Sequence, residues 1–158
     1  MWMLIPLLTL SLTACSASTA VGPVLTDSLP TPVRAAIDTA WHDERHAELV
    51  YQGVLADVGP VLPFANVVYA ERQHASSLEG LLASRGLAAP APIWTLDKIP
   101  RFTSLAAACA AAATAEIENI ALYDRLLALD LPWDVRRVFT NNRAASLERH
   151  LPAFQRCR

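Results

Sequence analysis

The chain has 158 residues, long enough for one domain with a buried core. It is 53% hydrophobic and 18% charged, with a formal charge of −2. That balance excludes a basic nucleic-acid-binding stripe, an acidic tail and any partner held mainly by charge.

Residues 2–14 are almost wholly apolar, from Trp2 to Leu12. The stretch is too short to span a bilayer as a helix and reads as the core of an export signal. It ends in Leu12-Thr13-Ala14-Cys15, which resembles a bacterial lipoprotein cleavage box. That resemblance implies a lipidated Cys15 that tethers the domain to a membrane surface, in the bacterial cell envelope and facing periplasm or exterior. The alternative is an ordinary cleaved signal with Cys15 incidental. The expected division is a signal peptide over 1–14, a tether over 15–32 rich in small and polar residues, and one helical domain over 33–158.

Scarce glycine, with five in the chain, favours helix over strand. The first helix is expected from about Thr31 or Pro32 to Val58, stopped by Gly59-Pro60. Its apolar stripe runs through Ile37, Trp41, Tyr51 and Leu55 and includes Glu44. The second runs from near Pro63 to about Arg85, with Gly86 as its C-terminal signal. It carries Glu71-x-x-His74 on the same face as Phe64, Val67, Ala75, Leu78 and Leu82. Residues 87–103 hold Pro90, Pro92 and Pro100 and form a connection long enough to run the length of a bundle. The third helix covers about Ser104 to Leu129. The fourth covers about Trp133 to Phe154, with Asp134 or a neighbour as its cap and Pro152 disturbing its last turn. This order predicts two antiparallel helical hairpins joined by one long crossover, the connectivity of an all-α, ferritin-like four-helix bundle.

A carboxylate and an imidazole on an apolar stripe need a partner, because a buried unpaired charge costs several kcal/mol or more. Glu-x-x-His on a helix is the ligand pair of carboxylate-bridged di-metal sites. The other helices add to it at mid-height. The first offers Glu44. The third offers Glu118, while Glu116 lies on the stripe of Cys109, Ala113, Ile120 and Tyr123; spacing leaves both open. The fourth offers His150. Taken singly, Glu44 reads as a solvated residue and His150 as a histidine at a helix C-terminus. Their joint occurrence on four stripes favours a site. Oxygen and imidazole ligands suit iron or manganese. His42 and His46 sit two residues either side of Glu44 and read as surface. Trp41, Trp94 and Trp133 read as packing residues.

The segments Asp43 to Tyr51, Pro63 to Val67 with Ala70 to His74, Glu116 to Ile120, and His150 to Phe154 resemble the DUF2202 ferritin-like proteins over roughly residues 36–156. That resemblance implies a di-iron type centre with Glu44, Glu71, His74, Glu118 and His150 as ligands, iron as two ions or one, and manganese as the alternative metal. The resemblance names no reaction; an iron centre of this kind points to oxidation of ferrous iron or reduction of peroxide or oxygen, with a non-catalytic metal-binding module or a structural bundle as the alternatives. A symmetrical site would carry a second Glu-x-x-His on the fourth helix, but Leu147 stands three residues before His150 and Glu148 faces away. No rubredoxin-like Cys-x-x-Cys supplies an electron relay, and the electron donor is unidentified.

Cys109 and Cys157 remain once Cys15 is set aside. Cys109 lies nine residues before Glu118 and Cys157 seven after His150. At about 1.5 Å per residue both fall at similar heights on one side of the proposed metal layer, which predicts a Cys109–Cys157 disulfide.

Overall fold

The computed structural model describes residues 29–157. The signal peptide, most of the tether and Cys15 lie outside the described residues. Helix α1 spans Thr31–Val58, α2 Phe64–Ala83, α3 Leu105–Leu127 and α4 Trp133–Ala145. A π-helical turn, Ser146–His150, joins α4 directly to the short α5, Leu151–Arg156. No strand occurs among the described residues, so the fold is an all-α bundle of four helical arms.

The termini follow local chemistry. Pro32 sits in the first turn of α1, where no N–H is needed, and α1 begins at Thr31 as expected. Gly59 ends it at φ 91°, a left-handed conformation that L side chains rarely adopt, with its N–H on the Leu55 carbonyl. The Ser104 hydroxyl accepts from the Ala107 N–H and caps α3. Asp134 is not a cap: Pro132 holds that place, and Asp134 pairs with Arg85 at 2.9 Å, tying the end of α2 to the start of α4.

The π turn has a visible cause. Pro152 has no N–H to give the Glu148 carbonyl, so the helical ladder cannot stay in register there. The Leu151 N–H instead reaches back five residues to the Ser146 carbonyl. One extra residue is thereby held in the turn that presents His150.

Apolar residues form two separate clusters. One gathers Ile37 and Trp41 of α1, Leu78 and Leu82 of α2, Tyr123 of α3 and Phe139 of α4. The other gathers Tyr51 of α1, Phe64 of α2, Cys109 and Ala112 of α3 and Phe154 of α5. Tyr51, Phe64 and Phe154 stack with ring centroids 4.9–5.5 Å apart. The Cys109–Cys157 disulfide forms at this second end, with Cα atoms 5.7 Å apart, and links α3 to the end of α5.

The crossover between α2 and α3 lies against α1. Arg101 and the Phe102 N–H both bond the Asp57 carboxylate. Ile99 packs so closely on Gly53 that a Cβ there would stand 2.5 Å from its Cδ1. The same segment covers His42 and His46, which are half-buried rather than surface residues: His42 meets Trp41 edge-on and His46 lies 4.3 Å from the Trp94 ring. Trp133, expected to pack, is 72% exposed, with the Arg137 guanidinium 4.8 Å from its ring centre.

Candidate metal centre

Between the two apolar clusters lies a layer of buried polar groups, one set from each arm. On α1, Glu44 follows Ile37 and Trp41 at helical spacing and is fully buried. On α2, Glu71 and His74 share the face of Val67 and Leu78. On α3 the buried stripe runs Cys109, Ala112, Glu116, Asn119 and Tyr123. The π turn adds His150 and Ser146.

The structure brings together Glu44, Glu71, His74 and His150. It does not bring Glu118, which faces solvent. Glu116 stands in its place, because it lies seven residues after Cys109 and so shares the face that the disulfide turns toward α5. That constraint was readable in the sequence. The π turn shifts the inward position next to His150 away from Leu147. Leu147 is exposed, and the inward position beside His150 belongs to Ser146, whose hydroxyl donates to Asn119 Oδ1 at 2.9 Å. The fourth arm thus brings no carboxylate into the cluster, as expected from the sequence, and places Ser146 beside His150.

Glu71 is the centre of the cluster. Its Oε2 lies 3.1 Å from His74 Nδ1, and its Oε1 lies 3.0 Å from His150 Nδ1. Each histidine has a second carboxylate: Glu44 Oε2 lies 3.1 Å from His74 Nδ1, and Glu116 Oε2 lies 3.5 Å from His150 Nδ1. The outer oxygens of these flanking carboxylates are held by tyrosines. Tyr123 donates to Glu44 Oε1 at 2.6 Å, and Tyr51 donates to Glu116 Oε1 at 2.8 Å. Asn142 donates to the Tyr123 hydroxyl, and Asn119 donates to Asp43. Tyr51 and Tyr123 stand out in the sequence as residues able to hydrogen-bond a ligand side chain, whereas Asn119 and Asn142 do not, because their bonds join different arms.

Electrostatics reflect three carboxylates buried together. Burial and the Glu71 charge push Glu44 up to about 7, against the His74 hydrogen bond. Burial opposes charge on His74, yet Glu44 and Glu71 raise it to about 10. Burial likewise opposes charge on His150, yet Glu116 and Glu71 raise it to about 9. Glu71 is held below the usual carboxylate range by His150 and His74 despite its burial. Burial pushes Asp43 up to about 6, against the bond from Asn119.

These residues fit a cation. One ligand atom from each of Glu44, Glu71 and His74 lies within 4.8 Å of the others, and the same holds for Glu71, Glu116 and His150. Glu71 Oε1 and His150 Nδ1 are buried and close, but their mutual geometry makes no hydrogen bond, so both are left without one. A cation between them would satisfy both. Two buried Glu/His groups sharing one carboxylate can thus hold metal ions.

No family model and no curated protein matches the chain. Among solved structures it is similar to a conserved hypothetical protein, rv2844, from Mycobacterium tuberculosis, with a TM-score of 0.67 and 19% identity over 82% of this chain and 98% of that one. The likeness is one of fold.

Proposed function

We propose that the chain is an exported ferritin-like protein of the DUF2202 type, whose buried cluster holds two iron ions for redox chemistry with oxygen, peroxide or ferrous iron. The observation that carries this is Glu71, whose two oxygens face two histidines, each flanked by its own tyrosine-held carboxylate. The order of the clusters along the arms supports the ferritin-like topology. α1 passes from the Trp41 cluster to the Tyr51 cluster, α2 and α3 return, and the fourth arm runs with α1. Two antiparallel hairpins and a crossover produce that order.

Bound iron supplies one-electron redox chemistry toward oxygen species. The chain's residues prepare the position. Tyr123 and Tyr51 occupy the outer oxygens of Glu44 and Glu116 and leave the inner oxygens for ligation. The apolar clusters on either side exclude water, which strengthens each charge interaction in the layer. Cys15 lipidation would place the domain at a membrane surface of the bacterial envelope.

The test is metal analysis of the mature domain from iron-supplemented medium, beside Glu71→Ala/His74→Ala. About two irons per chain, lost in the variant, are expected. About one would make Ser146 decisive and favour a mononuclear site. No metal above the variant's level after reconstitution with iron or manganese would overturn the reading.

A further inference from the structure

The two halves of the cluster differ in access. A cavity of about 170 Å³ lies between α1 and α3, roofed by Pro100 and Phe102 of the crossover. Its inner end is formed by Glu71, Glu116 and Tyr51. Glu44, Tyr123 and both histidines, His74 and His150, do not line it. Its middle is apolar, with Val54 and Phe64 facing Ala108 and Ala112. Ala111, Glu118, Asp43 and His46 form the mouth.

Two observations mark it as a ligand pocket rather than a packing defect. Glu71 and Glu116, each 2% exposed, both line the cavity, so two buried carboxylates stand on its wall. The α3 wall is built of alanines, where one larger side chain would fill the space.

We propose that this cavity admits the substrate to the cluster at its Glu71 and Glu116 carboxylates, and that it takes a neutral molecule with an apolar body and one hydroxyl or hydroperoxyl end. The dimensions set the size. An apolar cavity of about 150 Å³ accepts benzene, so about six to eight heavy atoms fit here. The chemistry of the two ends sets the class. A hydroxyl-type head donates to Glu71 or Glu116, while the body lies against Val54, Phe64 and Ala112. In the metal-free chain an anion meets the Asp43, Glu71, Glu116 and Glu118 carboxylates on the lining, while the imidazoles that pair with Glu71 and Glu116 do not line it. A hydrated cation would have to shed water between apolar walls. The inference deepens the proposed function by naming a substrate class for the same centre, and rests on it only for what happens at the metal.

The test uses benzyl alcohol as probe and benzoate as the anionic control of similar size, both with the metal-free and the iron-loaded chain at pH 7. Nuclear Overhauser contacts from benzyl alcohol to the Tyr51 ring and the Ala112 methyl are expected in the metal-free chain, with none to Tyr123. Benzoate should bind at least tenfold more weakly. Ala112→Phe should weaken benzyl alcohol binding at least tenfold. Ala111→Phe, at the exposed rim, should slow its exchange or block it, and keeps the test independent of overpacking at Ala112. Both variants should retain the wild-type metal content. Absence of binding, equal binding of benzoate, contacts to Tyr123, or binding indifferent to both substitutions would overturn the proposal. Pocket binding in a chain that retains no metal would uphold the cavity while removing the metal reading, so the two fail separately.

Discussion

The Glu44–His74 and Glu116–His150 halves use the same residue types around one shared glutamate, yet they are built differently. The first rests on regular α-helix, is backed by Tyr123 and Asn142, and does not line the cavity between α1 and α3 except through the shared Glu71. The second rests on a π turn, has a histidine nitrogen without a hydrogen bond, and faces a cavity. Ligand chemistry alone therefore does not set reactivity. The backbone and the neighbouring side chains beneath each half decide which carboxylate is held by a paired tyrosine and asparagine and which stands on the cavity wall.

The largest effect that would sharpen this contrast comes from the disulfide, which clamps α3 and α5 beside the second half. Closing a loop over a separation of 48 residues is worth about 4 kcal/mol in the chain-entropy picture. Cys109→Ser/Cys157→Ser should lower the stability by about that amount in denaturant unfolding. Amide exchange should rise around Glu116 and His150 more than around Glu44 and His74; equal loosening of both halves would erase the distinction.

Proton linkage offers a second comparison. His74 and His150 are raised to about 10 and about 9 in the folded chain, so their stabilisation is complete below about 6.5 and is lost as pH rises through those values. Glu44, raised to about 7, adds loss in the same direction between about 4.5 and 7. Glu71, held low, acts oppositely and loses its contribution as the solution is acidified. The metal-free chain should thus melt at a lower temperature at pH 10 than at pH 6.5, and NMR titration should show both His74 and His150 keeping their protons above the usual histidine range. Iron loading should flatten this dependence, since metal replaces protons on the imidazoles.

The tyrosines are a finer probe. A hydrogen bond to a buried charged group contributes about 1.5–3 kcal/mol. Tyr123→Phe should approach that cost by thermal or denaturant unfolding, because it strips both Glu44 and Asn142, which do not line the cavity. Tyr51→Phe should cost less, since water in the cavity can replace the phenol at Glu116. The reverse ranking would contradict the difference in access. Smallest of all, Glu118→Gln should leave metal content and melting temperature unchanged, whereas Glu116→Gln should lower metal content.

Much of this was legible in local patterns. Proline and glycine marked the ends of α1 and α2, Ser104 marked the start of α3, and Glu44, Glu71, His74 and His150 stood out as charged or polar groups on apolar stripes. What escaped was set by contacts between arms. The choice between Glu116 and Glu118 depended on the phase of α3, which the disulfide partner fixes. The half-burial of His42 and His46 depends on where the crossover lies. The inward position of Ser146 depended on a backbone turn that a uniform 3.6-residue period cannot represent.

That turn also bears on how relatives of this chain would be found. A π turn amounts to one residue inserted into a helix. Asn142 and Phe139 keep register with Tyr123 on one side of it, and Phe154 keeps register with Phe64 on the other. A chain with an uninterrupted fourth helix would align with this one only through a single-residue gap within 146–150. A search that fixes the interval between ligands would step past the true counterpart of Ser146 and score Leu147 instead. Family patterns for such bundles should let that interval vary by one.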